Sequence, residues 1–245
     1  MRMKIVKTTT KAILLNAPKE VGKDCAIDYL MEQGIHLVVR ECKDHLHKLV
    51  MNFFCVDEMR YWNIYDDRQL KEVPLPEFQI DLTSDYSDYC FLEEILGYDL
   101  QGNHLEDCSE VDMLWELRYK NHPEDAYGTC LNLSIREAMI YVSEVVMKSR
   151  FGEDYFGKAR AKSVREGEVI IDGSCAFVDE LHPLIEKIGM ENILLIRIHR
   201  DGYTFEGDSR DYIPDGVITN TVDVDNNSTL EDYLKKVETV VRGFI

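Results

Sequence analysis

Three things are scarce in this chain, and each scarcity removes a class of function. Long hydrophobic runs are missing: no apolar stretch of the 245 residues approaches the ~20 needed to span a bilayer. Paired cysteines are missing as well. The seven cysteines stand at 25, 42, 55, 90, 108, 130 and 175, an odd count with no C-x-x-C, which fits neither a disulfide framework nor a zinc site. The plain expectation is reduced thiols in a cytoplasmic protein. Positive charge is the third shortage, with 28 Lys and Arg against 46 Asp and Glu and a net charge of −18. Broad binding to nucleic acid or to a membrane surface needs a basic face, so neither is expected as a partner. A small anionic ligand is still allowed, because a few cations focused in a cleft can dominate locally. The shortage is deepest between Lys71 and Arg118, where no Lys or Arg occurs while acids recur, the pattern of a solvated acidic surface.

What is present begins at Ala12–Asp28. Ala12 to Leu15 is a short apolar run of buried-strand type, preceded by a basic arm and too brief for the ~7–15-residue core of a signal peptide. A turn with Pro18 and Gly22 follows, and then Ala26, Ile27, Leu30 and Met31 fall at helical spacing. Strand, glycine-bearing loop, lysine and helix is the layout of a phosphate-binding P-loop, G-x-x-x-x-G-K-[ST]. Here Ala17 stands at the first position, Gly22-Lys23 match, and Asp24 replaces the hydroxyl residue. Phosphates need backbone N–H groups aimed at one point beside a helix N-terminus. Gly22 supplies close approach and positive φ, and Lys23 a point charge on a long stem. A carboxylate at position 24 repels phosphate unless a metal lies between them. An ordinary strand–turn–helix is the other reading of these residues.

Further on, Ile35–Arg40 has strand character, Cys42–Phe54 is amphipathic, and Asp57 to about Tyr65 is helical. Pro74 and Pro76 mark a loop, and residues 78–112 are acidic and weakly periodic. A helix is expected from about Val111 to Tyr119. Ser134-Ile-Arg-Glu137 is a capping box opening a helix to about Lys148, with Arg136 in its first turn. The segment 151–165 ends in a helix carrying Lys158, Arg160, Lys162 and Arg165, a basic cluster in an acidic chain. It could meet phosphates, or it could simply complement the helix dipole. Glu168–Asp172 is a strand ending in an acid, followed by a helix from about Phe177 to Ile188. Ile193–Ile198 is a buried strand with His199 and Arg200 at its end, where open α/β sheets bind ligands. Gly216–Thr219 reads as a short strand with Asn220-Thr221 turning away. Ser228-Thr-Leu-Glu231 reads as a second capping box at the start of the last helix. This alternation predicts an α/β fold: a P-loop core with a parallel sheet flanked by helices, plus a mostly helical acceptor or lid insertion. The expected organisation is one domain over 1–245 with an acidic, acceptor-binding insertion over 57–132.

Several segments together resemble the bacteriophage deoxynucleoside monophosphate kinases, a branch of the P-loop nucleoside monophosphate kinase superfamily. They are Gly22-Lys23-Asp24, the run Tyr65–Glu72, the long segment Leu133–Lys158, EVIIDG ending at Gly173, FVDE at 177–180, LLIRIHR at 194–200 and VITN ending at Asn220. The resemblance implies transfer of the ATP γ-phosphoryl group to a deoxynucleoside monophosphate, with ATP and Mg²⁺ as cofactors and small-molecule nucleotides as partners. Some branches form dimers, so a homodimer is among the expectations. The expected location is the cytoplasm, that of the host if the chain is phage-encoded. Within the resemblance, Ala17, Lys19, Val21, Gly22, Lys23, Asp24 and Cys25 correspond to the ATP-phosphate loop, with Lys23 on the transferred group. Asp24 and Asp172 correspond to carboxylates near Mg²⁺. Arg68, Lys71 and Arg136 correspond to the acceptor side, Arg136 and Arg200 to catalytic arginines, and Arg200 and Asn220 to lid-like and base-side elements. Two departures stand out: Ser174 occupies the place of a common Arg two residues after the strand-end acid, and Cys25 replaces a common Thr. A kinase for another small acceptor, such as dephospho-coenzyme A, and a non-catalytic nucleotide-binding protein are the other readings.

Overall fold

The computed structural model describes residues 9–81, 130–206 and 210–245. The helix expected at Val111–Tyr119 and most of the acidic block lie outside the described residues. The chain divides into two compact units, Met1–His45 with Glu153–Ile245, and Leu46–Gly152.

The first unit is built on a five-stranded sheet. Its strands are β1 (Lys11–Asn16), β2 (Val38–Val39), β5 (Val169–Asp172), β6 (Ile193–His199) and β7 (Asn220–Asp225), with β3 and β4 belonging to the other unit. The order across the sheet is β2-β5-β1-β6-β7 and every pairing is parallel. The α/β expectation with a parallel sheet holds. The central strand shows why: Ala12 to Asn16 are all buried, because a parallel sheet is covered on both faces. Ile13 and Leu15 pack on one face with Ala26, Ile27 and Leu30 of α1 (Lys23–Glu32) and with Tyr233, Val237 and Val241 of the C-terminal helix. Ala12 and Leu14 pack on the other face with Val164, Leu181, Leu184 and Ile213. Period-2 alternation along one strand thus feeds two cores.

Local chemistry sets the ends of the elements. Helix α2 runs Cys42–Phe53, and α3, Glu58–Asp66, is capped by the Asp57 side chain, which accepts from the Met59 and Arg60 amides. In the second unit β3 (Gln79–Asp81) pairs antiparallel with β4 (Cys130–Asn132). Helix α4, Ile135–Ile140, opens on the expected capping box: the Glu137 amide donates to Ser134 and the Ser134 amide to Glu137. It then widens into a π-helical stretch, Tyr141–Lys148, where uniform α-helix was expected. Back in the first unit, α5 is Tyr155–Ser163, α6 is His182–Ile188 and α7 is Leu230–Phe244.

Three sequence expectations shift. Phe177–Leu181 is not helical, since α6 begins only at His182 with Pro183 in its first turn, where a missing N–H costs nothing. The last strand is Asn220–Asp225 rather than 216–219. Its NTVDVD sequence puts Val224 in the core and leaves Asp223 and Asp225 exposed, so a half-wet edge strand has no apolar run to announce it. The cap of α7 is Thr229, which accepts from the Asp232 amide, one residue beyond the box expected at Ser228.

Candidate phosphate-binding site

The loop from Ala17 to Gly22 leaves the carboxyl end of the central strand and enters α1 directly. Gly22 is the N-cap residue with φ 99° and ψ 22°, a left-handed conformation that disfavours a β-carbon. A Cβ there would also stand 3.2 Å from Tyr233 Cε1 and 3.3 Å from Asn226 Nδ2. Glu20 is left-handed too, at φ 61°. Gly22 has no side chain with which to cap α1, so the cap residue itself leaves the first-turn amides their donor capacity at the positive end of the helix dipole. Lys23 folds back over the loop: its Nζ donates to the carbonyls of Ala17 and Pro18, both at 2.7 Å. An ammonium tethered to the loop's own carbonyls lies beside the amides an anion would use. Asp24 and Cys25 are exposed in the first turn of α1, and Lys19 is exposed on the loop. Arg200, just past β6, reaches the Glu20 carbonyl at 3.5 Å and lies over the Tyr203 ring. The structure thus brings Ala17, Lys19, Val21, Gly22, Lys23, Asp24, Cys25 and Arg200 together.

Asn220 is not brought there. It begins β7, opposite Leu194, and its side chain donates to the carbonyls of Glu191 and Ile193 at the start of β6. That is the amino edge of the sheet, whereas the loop leaves the carboxyl edge.

Asp172 ends β5, next to β1, but it is fully buried and engaged. Its Oδ2 pairs with Arg160 of α5, and its Oδ1 accepts from the Ser174 amide at 2.7 Å and the Ser174 hydroxyl at 2.8 Å. Of the 158–165 cluster, Arg160 is buried and Lys158 pairs with Asp154 at 2.9 Å. Arg160 also donates to the Glu180 carbonyl at 2.8 Å. The approach requires glycine at 157, where a Cβ would run into the Glu180 backbone. Burial opposes the Arg160 charge most strongly, but Asp172, by charge and hydrogen bond, together with Cys42 and Cys175 nearby, holds its pKa above the usual value. Burial raises the neighbouring Cys42 and Cys175 thiols, which stay protonated.

Glu41 was not singled out in the sequence. It follows β2, accepts from the Gly173 amide at 3.2 Å and pairs with Lys43 at 2.9 Å, and burial raises its pKa. Asn226 and Tyr233 were missed as well. Asn226 Nδ2 donates to the Val21 carbonyl at 2.8 Å and the Tyr233 hydroxyl to the Gly22 carbonyl at 3.0 Å. No sequence signal marks an Asn some 200 residues from the loop it holds. In the other unit, Arg136 pairs with Glu72 at 2.7 Å, Lys71 lies over the Tyr65 ring, and Arg68 is exposed.

For Mg²⁺ the two candidate carboxylates differ. Mg²⁺ keeps several waters and takes one or two carboxylates plus substrate phosphates. The exposed Asp24, next to Lys23, fits that mode. Asp172 does not fit as a direct ligand, since Arg160 and Ser174 already engage both of its oxygens. Among the described residues no group of three or more His, Cys, Asp or Glu is placed to hold a metal.

No family model and no curated protein matches the chain. Among solved structures, a gluconokinase from Sinorhizobium meliloti 1021 aligns at 12% identity over 97% of this chain and 95% of its own, with a TM-score of 0.40. At that score and identity the likeness decides neither fold nor substrate.

Proposed function

We propose that this chain is an ATP-dependent phosphotransferase that moves the γ-phosphoryl group to a deoxynucleoside 5′-monophosphate, giving the diphosphate. The observation that carries the reading is the loop: a left-handed glycine at the head of a helix, with the next residue's ammonium folded onto the loop carbonyls. Such a loop binds phosphate by its amides, and phosphoryl transfer asks little more of a protein than positioning and charge neutralisation. Lys23 exchanges its two carbonyl partners for phosphate oxygens of the donor. The first-turn amides of α1 hold the same phosphates, and Arg200 adds a second cation beside the loop. Asp24 would hold Mg²⁺ through one oxygen or a water. When bound, the ion neutralises charge on the donor phosphates. Asp172 and Arg160 act as a buried brace under this edge of the sheet rather than as metal ligands. Binding of the acceptor phosphate is assigned to Arg68, Lys71 and Arg136, and this assignment, like the acceptor class itself, is supported by the resemblance of 65–72 and 133–158 to the phage kinases.

The test is an ADP-release assay with ATP and Mg²⁺ across dAMP, dCMP, dGMP and dTMP, with dephospho-coenzyme A as a further acceptor. Turnover with at least one deoxynucleotide is expected. Turnover with dephospho-coenzyme A alone would move the acceptor class. The engagement of Asp172 favours a second reading, nucleotide binding without transfer. Its signature is ATP binding by calorimetry with no ADP formed on any acceptor.

A further inference from the structure

We propose that Asn226 and Tyr233 are positioning residues for the phosphate loop, acting through the carbonyls of Val21 and Gly22. The inference rests on the phosphate-binding reading of that loop and goes beyond it. A peptide unit is planar and trans, so its N–H points opposite its C=O. Fixing the Val21 carbonyl fixes the Gly22 amide, and fixing the Gly22 carbonyl fixes the Lys23 amide. Asn226 Nδ2 holds the first at 2.8 Å and the Tyr233 hydroxyl holds the second at 3.0 Å. Both amides are therefore turned away from the two braces. These are the amides at the entrance to α1, where an anion meets the helix.

The braces are themselves rigid. Asn226 is buried and its own amide donates to the His199 carbonyl at 2.8 Å, which ties it to the end of β6. Tyr233 is fully buried in the first turn of α7, and its amide donates to the Thr229 carbonyl at 3.1 Å. Burial, and then the nearby Cys25 and Asp24, raise the Tyr233 phenol, so it remains a donor across the working pH range. The Gly22 carbonyl accepts from Ala26 as well, so Tyr233 adds a second bond to the carbonyl that begins the helix. The close approach of both side chains to Gly22 shows that they and the glycine form one packed unit.

The test uses the full chain with Mg²⁺ and two calorimetric probes, ADP and inorganic tripolyphosphate. Tyr233→Phe keeps the ring and removes the hydroxyl, and Asn226→Ala removes the other donor. Each is expected to weaken both probes equally, by about fivefold, the equivalent of one net hydrogen bond. Thr229→Ala is the control, because it removes the α7 cap without touching the loop carbonyls, and it should bind like wild type. If circular dichroism shows Asn226→Ala to be unfolded, Tyr233→Phe decides. Wild-type affinity in Tyr233→Phe, a loss confined to ADP, or an equal loss in Thr229→Ala would overturn the proposal. If the wild-type chain binds neither probe, the phosphate-loop reading falls and this inference with it, a result distinct from binding that ignores the variants.

Discussion

Lys23 and Asp172 show how much a residue's meaning depends on what it touches. Lys23 spends its charge on two loop carbonyls, a reversible arrangement that leaves the ammonium ready for a stronger acceptor. Replacing it with alanine removes a loop charge held by the Ala17 and Pro18 carbonyls. Lys23→Ala should thus keep the wild-type circular dichroism spectrum and lose nearly all turnover in the ADP-release assay. Activity within a factor of two or three of wild type would mean the loop does not hold the donor. Asp172 is the opposite case. Its partner is buried with it, and removing one member of a buried ion pair typically costs about 3–5 kcal/mol. Loss of activity on changing Asp172 would therefore report unfolding before it reported chemistry.

Among elements, β6 and β7 carry the clearest electrostatic signature. Arg197 and Asp223 are direct cross-strand partners, joined at 2.9 Å and 2.7 Å, and His199 reaches the same carboxylate at 2.6 Å. Arg197, and after it His199, hold Asp223 below the usual carboxylate range. A carboxylate with a depressed folded pKa contributes stability above its unfolded value, about pH 4, and loses it as pH falls through the folded value. The wild type should accordingly lose urea resistance more steeply than Asp223→Asn between roughly pH 5 and pH 2. A constant difference between the two over that range would refute the pairing. The same elements show what sequence could reveal. Ala12–Leu15, the Gly22-Lys23 helix start, the Ser134 capping box and Ile193–Ile198 were legible because each carries its signal locally, in periodicity or in a cap. Asn220–Asp225 was not, because an edge strand buries only alternate residues. Arg160 was not, because nothing near it in sequence names Asp172 as its partner. The π-helical stretch after Ile140 was not, because the same apolar spacing serves either winding.

For the whole molecule, the proposed anionic ligand has to be reconciled with the strongly negative net charge. Locally, Lys19, Lys23 and Arg200 gather at a helix N-terminus beside the exposed Glu20 and Asp24, while salt screens the more distant acids. Binding to the folded state alone then raises stability by mass action, by about 2.7 kcal/mol at a hundredfold excess over Kd. ATP with Mg²⁺ should raise the thermal midpoint of the wild-type chain, and the rise should vanish in Lys23→Ala. A shift of equal size in that variant would place the nucleotide elsewhere. Among the described residues no helix is long and apolar enough to cross a membrane.

The two edges of the parallel sheet bear on how copies of this chain could meet. One edge is β2, only two residues long. The other is β7, where the exposed Asp225 would set like charges against a second copy of the same strand. Short edges and edge carboxylates both discourage strand-to-strand joining. If two copies associate, these edges favour a contact made by helices or loops over one made by the sheet.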